Sequence, residues 1–213
     1  YHSSPNQFKY KDISVVTFGN KDQAKQLIFF VHGGGWLFDL DPVHFQFCDK
    51  LAKDLNAFVV VPAYLLAPQY TFSQSISTLV DLYAELLKDF KQPISMVGDS
   101  AGGQIILSLV MMFSEKQIKL PNQIIAISPV VDASMSINLR MYAKYEKLDP
   151  ILGTDCIRFI AEKFVSDFEL TDYRISPYFF DKCETLPPVT LIVGTREIFY
   201  PDVCSFYKKL RYN

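Results

Sequence analysis

The stretch Ile94-Ser95-Met96-Val97-Gly98-Asp99-Ser100-Ala101-Gly102-Gly103-Gln104-Ile105 decides the fold. A short apolar strand, Ile94 to Val97, enters a tight turn, and a helix runs from Ser100 to Phe113. In a G-x-S-x-G turn of this kind the serine sits at a strained tip. The residues two before and two after it must be small, because strand and helix nearly touch there. Gly98 and Gly102 meet that demand. A serine alcohol is a poor nucleophile at its own pKa, so it needs an exposed position and a neighbouring base. The turn supplies the position, and the helix start points free N–H groups at the reacting atoms. Ser100 is the candidate nucleophile of a serine hydrolase. The competing reading is a tight glycine turn with no chemistry.

Working outward, strand-like and helix-like segments alternate. Asp12 to Phe18 reads as an edge strand. Leu27 to Val31, Ala57 to Val61, Gln123 to Ile127 and Val189 to Val193 read as strands, the first two buried on both faces. Val43 to Leu55 and Phe72 to Phe90 read as amphipathic helices, and Pro201 to Leu210 as the last helix. This alternation implies an α/β fold with a doubly wound, mostly parallel sheet covered on both faces. Residues 1–213 form a single domain on this reading. Asp132 to Leu186 breaks the rhythm, with one helix near Thr154 to Val165 and long irregular stretches. So long a connection reads as an insertion lying over the carboxyl edge of the sheet.

A second glycine cluster, His32-Gly33-Gly34-Gly35-Trp36, follows the strand Leu27 to Val31. The tetrahedral intermediate of acyl transfer carries a negative oxygen that needs rigid N–H donors shielded from water. One donor is expected from Ala101, the residue after the serine, and the others from this loop. The competing reading is a phosphate loop, but the lysine of a P-loop and the spacing of a dinucleotide fingerprint are missing. Six of the nine glycines lie in these two motifs, which argues for placement and against general flexibility.

Composition narrows the classes. The 213 residues are 49% hydrophobic and carry a formal net charge of -2, so a large core is expected and no basic stripe attracts nucleic acid. The longest apolar run, Ile105 to Phe113, falls far short of the roughly 20 residues of a membrane span. Cys48, Cys156, Cys183 and Cys204 are scattered without metal-ligand spacing. They read as free thiols in a reducing compartment, which points to a cytoplasmic protein and no metal site.

Taken together, the motifs resemble the hormone-sensitive-lipase-like group of α/β-hydrolases, bacterial carboxylesterases among them. The resemblance runs through His32-Gly33-Gly34-Gly35-Trp36, and through His44 with Cys48 before Leu51-Ala52. It continues with Pro62-Ala63-Tyr64-Leu65-Leu66-Ala67-Pro68, Gly98 to Gly103, Ser128-Pro129 with Asp132, and Pro187-Pro188. It implies hydrolysis of short- to medium-chain carboxylic esters without a cofactor, acting on small-molecule esters. It implies that Gly34, Gly35 and Ala101 hold the oxyanion while Gly33 shapes the loop. It also allows a homodimer through the last helix or strand. Leu65 stands where the family usually has arginine, and Gln69 replaces a common glutamate. On this reading the 132–186 insertion is a cap, and Trp36 either lines the substrate pocket or packs against that cap.

The acid of a triad is expected just past a late strand. Glu197 lies three residues after Gly194, where the resembled family carries it, and Asp202 is the competitor. Asp99 reads as a local hydrogen-bonding residue, and Asp132 as ordering the start of the insertion. The base is harder to find. The histidines are His2, His32 and His44, and none follows Glu197. His32 reads as shaping the loop, His44 as a partly buried helix residue far from the serine in the chain, and His2 as terminal. The expectation is that the native chain continues past Asn213, where a further strand and the histidine loop would lie. The alternative is a catalytically defective chain that binds a small molecule, as some receptors of this family do.

Overall fold

The apolar run around Leu27 to Val31 becomes the middle strand of a seven-stranded sheet. The computed structural model describes residues 5–165 and 168–212, so His2 and Asn213 lie outside the described residues. The strands are β1 (Asn6–Tyr10), β2 (Ile13–Phe18), β3 (Gln26–Val31), β4 (Ala57–Ala63), β5 (Ile94–Asp99), β6 (Gln123–Ile127) and β7 (Val189–Ile192). Their order across the sheet is β1-β2-β4-β3-β5-β6-β7. β1 and β2 pair antiparallel at one side, and every pairing from β4 to β7 is parallel. The mostly parallel α/β fold expected from the sequence is present.

Alternation along β3 builds the two layers. Leu27, Phe29 and Val31 face a core shared with α2 (Phe72–Asp89) and α3 (Ser100–Glu115). Ile28 and Phe30 face the other way and meet Cys48 and Ala52 of α1 (Pro42–Asp54). Each such apolar side chain contributes roughly 1.5–3 kcal/mol on burial. α1 begins where Asp41 caps it: its carboxylate accepts the N–H groups of Val43 (2.8 Å) and His44 (3.0 Å), and Pro42 occupies the first turn.

Two expectations are corrected. Ile13–Phe18 is not at the edge, because β1 pairs outside it. β1 reads Asn-Gln-Phe-Lys-Tyr and is mostly exposed, so it carries no apolar pattern. Among the described residues, the 132–186 segment holds two α-helices and not one, α4 (Leu139–Tyr145) and α5 (Thr154–Phe164), with 3-10 turns at Pro177–Phe179 and Cys183–Thr185. α4 buries only Tyr142 and Tyr145 across seven residues, too few to show a period. Asp132 does order the start of this segment. Its carboxylate accepts N–H groups from Ser134 (3.0 Å), Ser136 (2.7 Å) and Ile137 (3.0 Å). The last helix, α6, spans Tyr200–Tyr212.

The chain reverses its direction of travel at β3 and β5. From β3 it runs through α1 to β4 on one side, and from β5 through α3 to β6 on the other. The carboxyl ends of these neighbours form the switch point at which open α/β sheets place their ligands. The loop after β3 is His32–Trp36, and the residue after β5 is Ser100.

Candidate active site

Ser100 has φ +50°, a left-handed conformation that costs a side-chain-bearing residue roughly 1–3 kcal/mol. The strain is held by close approach on either side of it. A Cβ on Gly98 would lie 2.7 Å from the Gly102 carbonyl oxygen, and one on Gly102 would press into the carbonyl oxygens of Val31 and His32. The serine therefore sits half-buried at the tip of a β5–α3 turn that only small flanking residues allow. Ala101 is fully buried in the first turn of α3, where helix N–H groups lack intrahelical partners.

The glycine loop lies beside this turn and is bonded to it. Gly33 donates its N–H to Asp99 Oδ1 at 2.9 Å. Gly34 has φ +110°, which an L side chain rarely adopts, and its carbonyl accepts from Leu37 (3.1 Å) and Phe38 (3.0 Å). Among the described residues, no backbone or side-chain acceptor takes the N–H of Gly34 or Gly35. The loop is held from below by His32, which is fully buried. Its Nδ1 donates to the Gly33 carbonyl at 2.7 Å, and its ring stacks on Tyr64 at 4.4 Å. Burial holds this imidazole below its ordinary range, and Nε2 has no hydrogen-bond partner among the described residues.

Trp36 is 2% exposed. Its Nε1 donates to Gln104 Oε1 at 3.0 Å, and its ring stacks on Phe164 of α5 at 5.7 Å. It thus ties the loop to α3 and to the 132–186 segment, and offers almost no surface to a ligand.

Ser100 shares a cavity of about 710 Å³ with Ser128, Asp149, Ile151, Glu197 and Phe199. The volume suits a small organic ligand. Glu197 is half-buried, and its Oε1 accepts the Gly194 N–H at 2.9 Å, which fixes the carboxylate in the loop after β7. Asp149 reaches into the same region from the 132–186 segment. Burial pushes its carboxyl up, but the N–H groups of Ile198, Ile151 and Leu152 outweigh this and hold it below the usual range. Asp202 lies elsewhere. It is 1% exposed and accepts from Asn138 (2.8 Å) and Tyr142 (3.0 Å), away from the residues that line the cavity. Burial pushes its carboxyl up to about 7.

Sequence reasoning missed two links. Asp99 is not a local residue: its partners Gly33 and His44 lie 66 and 55 positions away in the chain. His44 is not remote in space, since its Nε2 stands 3.4 Å from Asp99 Oδ1, next to the serine. Neither His44 nor His32 is hydrogen-bonded to the Ser100 hydroxyl.

A family model described as the alpha/beta hydrolase fold matches residues 28–213. The chain belongs to the α/β-hydrolase fold family. An esterase from Acinetobacter venetianus is 30% identical over 190 residues, covering 87% of this chain and 61% of that protein. An ethyl acetate hydrolase from Pseudomonas putida is 31% identical over 118 residues, covering 52% of this chain and 37% of that enzyme. A crystal structure of a protein classed as an esterase from Staphylococcus aureus superposes with a TM-score of 0.92 at 28% identity, over 98% of this chain and 70% of that one. The chain therefore spans about 61% of the length of the Acinetobacter relative. The resemblance to the hormone-sensitive-lipase-like members of the α/β-hydrolase family is in keeping with these relatives. No helix among the described residues is long and apolar enough to cross a membrane.

Proposed function

We propose that this α/β-hydrolase cleaves carboxylic esters of short to medium chain length through Ser100. The observation that carries the reading is the strained Ser100, φ +50°, opening onto a cavity it shares with a fixed carboxylate, Glu197. Ser100 Oγ attacks the ester carbonyl carbon, and the alcohol leaves to give an acyl-enzyme that water then hydrolyses. The tetrahedral oxygen is held by the N–H groups of Gly34, Gly35 and Ala101, each worth on the order of 100- to 1000-fold in rate. Two of these, Gly34 and Gly35, have no protein acceptor among the described residues and so are free to serve it.

Glu197 is the acid that orients the histidine of the triad. That histidine is neither His32 nor His44, on this reading, because both rings are engaged elsewhere. The 132–186 segment acts as a cap: α5 reaches the glycine loop through Phe164 and Trp36, and Asp149 to Leu152 border the cavity. Trp36 serves as packing between loop and cap.

The test is hydrolysis of p-nitrophenyl acetate, butyrate and octanoate by the protein in its complete natural sequence, alongside Ser100→Ala. Turnover of the shorter esters, abolished by the substitution, is expected. Turnover that survives Ser100→Ala would show the nucleophile to be misplaced. Saturable binding of esters without any turnover would point to the small-molecule binding alternative.

A further inference from the structure

We infer that His44 is a positioning residue for the glycine loop, acting through Asp99. The consequence for catalysis rests on the proposed ester hydrolysis; the structural link does not. His44 Nε2 lies 3.4 Å and 3.5 Å from the two carboxylate oxygens of Asp99. The same carboxylate accepts the Gly33 N–H at 2.9 Å. Asp99 is about one-third exposed, and a carboxylate held by a single N–H is free to turn about its side-chain bonds. The imidazole gives it a second fixed donor and so sets where Gly33, and the two glycines after it, can sit.

The other side of the ring shows why the donor persists. Nδ1 lies 3.2 Å from the Asp41 backbone nitrogen and 3.0 Å from Asp41 Oδ1. In the neutral ring Nδ1 accepts the Asp41 N–H, which places the proton on Nε2, facing Asp99. In the imidazolium Nδ1–H turns to the Asp41 carboxylate, and Nε2–H is unchanged. Asp99 thus has a donor in both states, charged in one of them. The charged or titratable groups that face His44 are Asp99 from the serine turn, Asp41 from the α1 cap and the His32 ring at 5.7 Å. The hydrogen bond to Asp99 raises the His44 pKa above its ordinary 6.5, burial opposes this, and the charges of Asp99 and Asp41 add to the rise. The imidazolium strengthens the Asp99 link at lower pH, and that added strength is lost as pH rises through the elevated pKa. Its members come from α1, β5 and the loop after β3, so the arrangement exists only once these elements have packed together.

The test follows the Gly33 amide and the His44 ring by NMR in labelled protein, titrated from about pH 5 to pH 9. The Gly33 amide is expected to shift with the midpoint of His44, above 6.5, and to lose that transition in His44→Gln. A Gly33 amide that ignores the His44 titration, or that keeps it unchanged in His44→Gln, overturns the link. Neither readout uses turnover, so an inert Ser100 would sink the esterase reading and leave this one standing. In the kinetic arm, His44→Phe keeps a ring against Phe30 but removes the donor. It is expected to lower kcat about 10- to 100-fold with little change in KM, and His44→Gln to recover most of the loss. A change confined to KM would contradict a positioning role.

Discussion

Gly33 donates its backbone N–H to Oδ1 of Asp99 at 2.9 Å, so the loop after β3 and the serine turn after β5 form one bonded unit. The side of Gly33 where a Cβ would stand is filled by that carboxylate. Gly33→Ala must displace either Asp99 or the loop. The expected cost is about 1–3 kcal/mol in urea unfolding, as for other overpacked sites. The proposed ester turnover should fall about 10- to 100-fold, since the N–H groups of Gly34 and Gly35, proposed as oxyanion donors, shift with it. Stability and kcat both within error of the parent would show that the two loops are not joined in this way.

Glu197 and Asp202 are separated by geometry, and activity should separate them too. Glu197→Gln keeps an oxygen for the Gly194 N–H, so folding should be preserved. Loss of the carboxylate proposed as the triad acid should lower kcat by roughly 10,000-fold. Asp202→Asn should leave kcat near the parent value, because Asp202 bonds Asn138 and Tyr142 and is not among the residues that line the cavity. The reverse ranking would make Asp202 the acid.

Asp202 should instead govern stability against pH. Its carboxyl titrates near 3.8 when unfolded and is pushed up to about 7 by burial in the fold. Between those values the folded state keeps a proton that the unfolded state has released, so each rise in pH removes stability. The contribution is full below the unfolded pKa, is lost as pH rises through the folded one, and spans up to roughly 4 kcal/mol. Urea melts at about pH 5 and pH 8 should show the parent losing more stability across this range than Asp202→Asn. Equal slopes would mean that Asp202 is already ionised in the folded state at the lower pH.

Trp36 is the sole tryptophan and is 2% exposed, its ring stacked on Phe164 of α5. Its fluorescence should be blue-shifted and poorly quenched by acrylamide, and should shift to the red on unfolding. Trp36→Phe should cost about 1–3 kcal/mol, because Gln104 Oε1 loses its donor in a buried place. Ready quenching in the native state would instead place the ring on an open, solvent-accessible wall.

Much of the fold was legible because it rests on local pattern. The apolar runs at Leu27, Ala57 and Gln123 mark strands, and the glycines at 98 and 102 mark the turn where backbone meets backbone. The polar strand Asn6–Tyr10 was not legible, because its pairing with β2 comes from main-chain bonds and not from burial. α4 escaped notice for a related reason, with Leu139 and Met141 exposed. In the site, Ser100, the glycine loop and Glu197 each carry their own motif. The Asp99 contacts do not, since one carboxylate joins residues 66 and 55 positions away only after β3 and β5 have paired and α1 has packed on the sheet.

An activated Ser100 nucleophile can be trapped covalently. The protein in its complete natural sequence, treated with a fluorophosphonate probe, should gain the mass of one phosphonyl group. Peptide mapping should place that group on Ser100, and Ser100→Ala should remain unlabelled. A protein that stays unmodified, or an adduct that persists in Ser100→Ala, would contradict the account.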